Sequence, residues 1–494
     1  MKKLKINVVV TIIYQIVSVF VGLIIPRLIL SAFGSDVNGL TYSINQMLSV
    51  ITYFDFGVSA VAQAALYKPL EDNDIKKINS IYYAIKRYFN ILALALIVYT
   101  GVLCFYYGYV NLNSFSPIFN ITLVLSIALS LIAQYVWGIN NQVLLAADQQ
   151  IYIYTIINII CTILNAAFTY VLIYFNQSIQ VVKLVSSIIF LLRPGFLQLY
   201  VKKHYIIYKR KNVVVGKLEN QWSGLIQHIA TTLTSSLDTI VLTLLSTLSN
   251  ISIYNVYTFP LNGVRVLIDS LSGGYKSYFG HILINSDHDF VLKKFKNFEI
   301  LIHFFCTIFT AVALNLLVPF VMIYTRGVTD ANYNNLLFAV FITLAYSIMT
   351  LKVPYTTIIN AAGHFKQTQN YCIIEVILNA VISVTLVRPL GLMGVAIGTC
   401  VAVTYRIIAS VSYLSKNILN RKNCSFYILL IFDAAIVVMF SLIVYPIRFS
   451  ANNYLTWAIK AIIDVIIVSV LFIGLLYLVN RKICISFIKS FKEK

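Results

Sequence analysis

Five polar residues share one stripe of an otherwise apolar run between 251 and 281: Asn262, Arg265, Asp269, Ser272 and Lys276. At about 100° per residue they fall within about 80° of one another on a helix. An arginine fork in apolar surroundings suits two-point binding of a phosphate-like anion. A carboxylate there can bind a proton or Na⁺. The simpler reading is that Arg265 and Asp269, four residues apart, neutralise each other while Lys276 extends its ammonium to the boundary. Three more arginines, Arg27, Arg193 and Arg406, interrupt apolar runs, as do the carboxylates Asp55 and Asp238. Arg193 precedes Pro194 and Gly195, a pair able to break a helix and free carbonyl groups for a ligand. Glu375 and Asp433 are the available neutralising partners for Arg406, and Lys352 is a further cation in an apolar run.

Milder polar stripes recur in other runs. One carries Thr11, Gln15, Ser18 and Gly22; the next carries Asn45, Ser49, Thr52, Ser59 and Gln63, with Asp55 on its flank. A third carries His228, Thr232, Ser235 and Thr239, with Asp238 beside it. Any one such stripe is explained by helix–helix packing. Their recurrence in the first, second, seventh and eighth runs favours a shared cavity. The six histidines do not cluster, and His303, isolated in an apolar run, reads as a satisfied structural residue. Seven cysteines without a CxxC spacing indicate neither disulfides nor zinc. There is no nucleotide-binding loop and no expected cofactor.

The elements that carry these residues are spanning helices. Of 494 residues, 60% are hydrophobic and 11% charged, against about 45–50% apolar and about 25% charged in soluble domains. Apolar runs fall at 7–33, 38–66, 84–108, 118–147, 151–175, 178–201, 221–249, 251–281, 299–325, 334–361, 370–388, 391–415, 426–447 and 456–480. A run of about 20 apolar residues spans a bilayer as a helix, and none shows the alternation of a barrel strand. The spacing thus predicts an all-α polytopic protein of about fourteen transmembrane helices, with an uncleaved first helix. The formal charge of +20 would suggest nucleic acid in a soluble protein; here it reports topology. With the N-terminus inside, 26 of the 37 cations face the cytoplasm, 3 lie outside and 8 lie within helices. That asymmetry places both termini in the cytoplasm of a multi-pass inner-membrane protein, without nucleic acid as a partner. Lys293, Lys294 and Lys296 are expected at the anionic lipid surface.

An internal repeat organises the runs. Ile163-Leu164-Asn165-Ala166 recurs as Ile377-Leu378-Asn379-Ala380, 214 residues on. At the same offset Ser35-Asp36-Val37 lies over Ser249-Asn250-Ile251, and Asp55 over Asp269. Six helices return the chain to the same side, so the repeats are parallel. The expected lobes are 1–209 and 210–420 around a central cavity, with two extra helices and a cytoplasmic tail in 421–494. Two such lobes suggest alternating access.

Further landmarks are Ile25-Pro26-Arg27, Phe33-Gly34-Ser35-Asp36-Val37-Asn38-Gly39-Leu40, Tyr53-Phe54-Asp55-Phe56-Gly57, Leu237-Asp238-Thr239 and Ser252-Ile253-Tyr254. On these the chain resembles the Wzx-type polysaccharide flippases of the multidrug/oligosaccharidyl-lipid/polysaccharide exporter superfamily, over roughly the first 415 residues. The count of fourteen helices is similar to the lipid II flippase branch as well. The resemblance implies a MATE-like fold and an undecaprenyl-diphosphate oligosaccharide as cargo, supplied and consumed by glycosyltransferases and a polymerase. On that reading Arg27, Arg193, Arg265 and Arg406 hold the pyrophosphate, with Asn262 and Lys276 in the same cavity. Asp55, Asp238 and Asp269 are then coupling sites for H⁺ or Na⁺, or counter-ions. The alternatives are an ion-coupled multidrug antiporter and, less favoured, a membrane glycosyltransferase or polymerase. Outer connections of at most about ten residues leave little room for an enzyme's external catalytic groups, so no enzyme is expected.

Overall fold

Inside a bilayer an apolar chain must satisfy its own backbone N–H and C=O groups, and helices do so within one segment. The computed structural model follows that constraint, with no strand among the described residues. These are residues 2–54, 56–110, 115–208, 225–444, 453–479, 481 and 484–485. Seven helices come first: α1 Lys2–Ser49, α2 Phe56–Glu71, α3 Ile75–Phe105, α4 Pro117–Ala133, α5 Ile139–Ala147, α6 Ile151–Tyr174 and α7 Ile179–His204. Nine follow: α8 Leu225–Leu245, α9 Leu248–Asn285, α10 His288–Tyr324, α11 Leu336–Leu351, α12 Val353–Ala361, α13 Phe365–Leu390, α14 Leu392–Asn417, α15 Cys424–Val444 and α16 Tyr454–Val479. Each of the fourteen expected segments overlaps one or two of these helices. Among the described residues eleven stretches are long and apolar enough to cross a membrane. The chain is a multi-pass, all-α membrane protein.

Several spans are interrupted, for identifiable reasons. α1 joins the first two expected segments through Gly34, whose φ of 82° and ψ of 178° are not helical. A tight 3₁₀ stretch, Val50–Phe54, separates α1 from α2. The fourth span is α4 and α5 joined by a π-helical turn, Gln134–Gly138. The tenth breaks at Lys352, two residues before Pro354, which cannot donate a helical hydrogen bond. Helix starts are capped by side chains: Asp74 accepts from the Lys77 N–H at 3.0 Å and Asn335 from the Phe338 N–H at 3.0 Å.

The chain divides into two units, Met1–Ser236 and Leu237–Lys494, within α8. The expected lobe boundary at 209/210 lies in 209–224, outside the described residues. In the first unit α6 packs on α1 and α7, and α4 on α7 and α3. In the second, α13 and α14 form a close pair, with α11 beside α14 and α9 against α11 and α12. The C-terminal helices α15 and α16 pack on α10 through an apolar cluster including Ile300, Ala311, Ile436, Phe440, Val468 and Phe472. Elsewhere apolar side chains stay exposed in helical rows, such as Ile91, Leu94, Val98 and Val102 on α3, and Ile462, Ile466 and Val470 on α16. Rows of that kind are the faces a bilayer covers.

Candidate functional site

In the first unit the polar stripe of the second span meets Arg193. Asn45, Ser49, Thr52, Ser130, Gln134, Tyr154 and Arg193 line a cavity of about 380 Å³, with Phe190 and aliphatic side chains as its apolar wall. Asn45, Ser49 and Thr52 each donate to a carbonyl of their own helical stretch, at 2.7, 2.7 and 2.5 Å. The two hydroxyl hydrogens and one Asn45 amide hydrogen are thereby engaged, while the oxygens remain available as acceptors. Arg193 stacks over the Phe190 ring at 3.9 Å and points one Nη to Thr162 Oγ1 at 3.5 Å. Its Nε is buried without a hydrogen-bond partner. The site therefore offers a weakly compensated guanidinium among hydroxyls and amides, the chemistry of an anionic, hydroxyl-rich ligand.

The local backbone explains two of these positions. α7 runs unbroken through Pro194, contrary to the helix break expected there. Neighbouring residues sustain the helix, and the cost is confined to the Phe190 carbonyl, which loses its N–H partner four residues on. Gln134 opens the π-helical turn and donates to Gln142 Oε1 at 3.3 Å. A Cβ at Gly138 would fall 2.6 Å from Gln134 Oε1, so glycine makes room for that side chain. Ser130, Gln134 and Tyr154 were not singled out from the sequence. The isolated polar residue of Gln134 in an apolar run is the signal that could have found it. Arg27 is half-buried on α1 and does not line this cavity.

In the second unit the α9 stripe is only partly a pair. Arg265 Nε lies 3.3 Å from Asp269 Oδ2, with both side chains partly exposed. Arg265 also reaches Met349 Sδ at 3.3 Å and lies 6.0 Å over the Tyr346 ring, both on α11. Asp269 Oδ1 is buried with no hydrogen-bond partner. Asn262 and Lys276 are exposed, Lys276 lying 5.7 Å over the Phe365 ring. Arg406 is buried, with its Nε 3.8 Å from Glu375 and an Nη donating to the Thr368 carbonyl at 3.1 Å. Lys352 takes the other Glu375 oxygen at 2.9 Å. Of the two partners considered for Arg406, the structure selects Glu375; Asp433 is engaged elsewhere. Together Arg265, Asp269, Lys352, Glu375 and Arg406 carry one positive charge more than they cancel.

Asp238 is different in kind. It is buried, and its described partners are all neutral. Tyr254 and Thr399 hydroxyls donate to Oδ2 at 2.9 and 2.6 Å, and Asn379 Nδ2 donates to Oδ1 at 3.0 Å. Ser383 Oγ lies 2.9 Å from Asn379 Oδ1 and 3.5 Å from the Val395 carbonyl. The one Thr399 hydrogen faces three acceptors: Asp238, Asn379 Oδ1 at 3.4 Å and the Val395 carbonyl at 3.1 Å. Five side-chain hydrogens, one each on Tyr254, Thr399 and Ser383 and two on Asn379, serve these acceptors. The carboxylate is thus solvated by neutral groups whose oxygens are also the donors a hard cation such as Na⁺ takes. A Cβ at Gly398 would run into Ser383 Oγ, so glycine lets α13 and α14 close around the cluster. Asp269 has a cation beside it, Asp238 has none among its described partners, and Asp55 lies outside the described residues. Asn379 belongs to the repeated Ile-Leu-Asn-Ala motif, the sequence signal for this site; its counterpart Asn165 is buried in α6. Among the described residues no group of three or more His, Cys, Asp or Glu is placed to hold a metal.

No family model matches the chain, and no curated protein does. Solved structures do. The lipid II flippase MurJ, in an inward closed conformation, superposes with a TM-score of 0.70 at 14% identity, covering 96% of this chain and 99% of that one. An inward-facing multidrug resistance MATE transporter of the MOP superfamily gives 0.52 at 11% identity, covering 81% and 95%. The eukaryotic MATE transporter AtDTX14 gives 0.56 at 11% identity, covering 84% and 95%. The chain thus has the fold shared by the lipid II flippase and the MATE transporters of the MOP superfamily.

Proposed function

We propose that this chain is an alternating-access flippase that moves an undecaprenyl-diphosphate oligosaccharide from the inner to the outer leaflet of the cytoplasmic membrane. The observation that carries the reading is the Arg193 cavity: a guanidinium with an unpartnered buried Nε, ringed by hydroxyl and amide groups. A diphosphate joined to sugars presents the matching anion and hydroxyls. Within the same unit Arg27 is a further candidate for the anion, and in the second unit Arg265 and the surplus positive charge around Glu375 offer an anionic contact of their own. Arg406, buried against Glu375, holds that charge group together.

In this proposal 1–209 and 210–420 are the moving lobes, both termini are cytoplasmic, and Lys293, Lys294 and Lys296 rest on anionic lipid. Glycosyltransferases supply the cargo and a polymerase consumes it. The Asp238 cluster takes the coupling ion, Na⁺ or H⁺, and Asp269 serves Arg265 as counter-ion. Ion coupling is equally what a multidrug antiporter of this fold requires, so the cargo assignment rests on the arginines. Replacing Arg265→Glu is expected to abolish export at unchanged protein level, with lipid-linked repeat units accumulating on the inner leaflet. Full complementation by both Arg265→Ala and Arg265→Glu would sink the assignment.

A further inference from the structure

The second unit holds a buried chain of titratable groups that takes no part in the sites above. His303 on α10 is buried, with its Nδ1 2.5 Å from Asp433 Oδ2 on α15. Its Nε2 lies 3.4 Å from the Tyr355 hydroxyl on α12. Tyr355 donates to Glu299 Oε1 at 2.7 Å. Both Glu299 oxygens accept from the Arg421 guanidinium, at 2.6 and 2.7 Å.

Hydrogens can be counted along this chain. Tyr355 has one, and it goes to Glu299. The Nε2 contact is then attractive only when Nε2 carries a hydrogen of its own. The Nδ1 contact with Asp433 needs another, so the chain closes when the pair holds two. Charges give the same answer. Glu299 and Arg421 cancel, leaving Asp433, which the second proton on the pair neutralises; an unbalanced carboxylate inside a spanning bundle is costly. The other neighbours supply no charge in its place. On α10 these are the Cys306 thiol, which donates to the Ser347 carbonyl of α11, and the Thr307 hydroxyl, 2.9 Å from Asp433 Oδ1. α9 presents Tyr275 to Phe298. On α16 the carboxylate of Asp464 is taken by Asn315, about three turns along α10.

A cavity adjoins the Glu299 end of this chain. Glu299 and Arg421 line a cavity of about 410 Å³ between α10, α15 and α16, together with Lys296 and Ser425. We propose that His303 and Asp433 form a proton-binding site supplied from this cavity through Glu299 and Tyr355. A proton from cavity water joins the Glu299 carboxylate. Glu299 passes it to the Tyr355 oxygen as the Tyr355 hydrogen moves to Nε2. The end state is the arrangement seen: a carboxylate at Glu299, an O–H on Tyr355 and a second N–H on His303. That proton ties α15, the first helix beyond the repeat, to α10 and α12; its release leaves Asp433 uncompensated at the interface. The inference stands whether or not the cargo is a lipid-linked sugar.

The test is ¹⁵N NMR of histidine-labelled full-length protein in lipid nanodiscs, stepped from about pH 9 to about pH 5. The His303 signal is the one absent from His303→Gln. It is expected to convert from a one-hydrogen to a two-hydrogen form within that range. Asp433→Asn is expected to move the midpoint by about one unit or more. Tyr355→Phe, which keeps the ring and loses only the hydroxyl, is expected to move it as well, and serves if the charge variants do not fold. Amide exchange across 424–444 should rise on the deprotonated side in the wild type. A one-hydrogen signal throughout, wild-type midpoints in both Asp433→Asn and Tyr355→Phe, or pH-independent exchange would each overturn the proposal.

Discussion

At Asp238 a single methyl group is enough to test the chemistry. Gly398→Ala places a Cβ against Ser383 Oγ and so spreads the α13–α14 oxygens without changing any donor. We expect this variant to lose most of its dependence on the coupling ion, and Asp238→Asn to lose all of it. The measurement is transport in vesicles under imposed Na⁺ and pH gradients. Wild-type gradient dependence in both would remove Asp238 from coupling. At Arg193, loss of a charge-assisted contact to ligand is worth about 1.5–3 kcal/mol, so Arg193→Ala should weaken cargo binding about 10- to 100-fold. Arg193→Lys should recover only part of it, because a point charge cannot reproduce the fork. Binding of a labelled lipid-linked sugar to the purified protein measures both. Pairing at i,i+4 made Arg265 and Asp269 legible in the sequence, because helical geometry alone brings them together. Nothing local brings Arg193 to Gln134, or Asp238 to Asn379, whose positions are 141 residues apart.

Among the elements, α1 shows where one residue decides geometry. Gly34 sits at φ 82° and ψ 178°, a region open essentially only to glycine. Alanine there is expected to destabilise the protein by about 1–3 kcal/mol. Alanine at Gly101 of α3, where a Cβ meets nothing within 4 Å, should be neutral or stabilising by about 0.5–1 kcal/mol. Thermal unfolding of the two variants in detergent checks the contrast. Sequence reading located both segments flanking Gly34 but could not say that one turn of backbone joins them. It also overestimated Pro194, since a proline in a spanning helix costs one hydrogen bond and need not end the helix when neighbours hold both sides. The C-terminal pair is held by packing as well as by Asn315–Asp464 at 2.7 Å and the Trp457 indole on the Leu316 carbonyl at 3.0 Å. Phe472, buried between Phe304 and Phe432, is the position whose loss should free α15 and α16 first. Phe472→Ala should raise amide exchange there well before it affects α13 and α14.

For the molecule as a whole, topology is the property with the plainest test. Cys424 is exposed at the start of α15, the end expected on the inner side, so it should react with a thiol reagent only after permeabilisation. A cysteine placed at Asn332, in an outer connection, should react in intact cells. Reversal of both results would invert the orientation. The sequence by itself determined the helical class and the fourteen apolar segments, because bilayer thickness and backbone satisfaction act on each segment separately; from cation asymmetry it yields the orientation as an expectation. It also singled out the candidate residues, since a charge in an apolar run stands out without any partner. What only the tertiary structure decided is which of those charges are spent on one another. Arg406 and Lys352 share Glu375, and Asp433 belongs to His303. Asp238 meets no cation among its described partners, and Arg193 keeps an edge without a partner. The physical reason is range: helix periodicity fixes neighbours three or four residues apart, whereas compensation of a buried charge depends on which helices pack together.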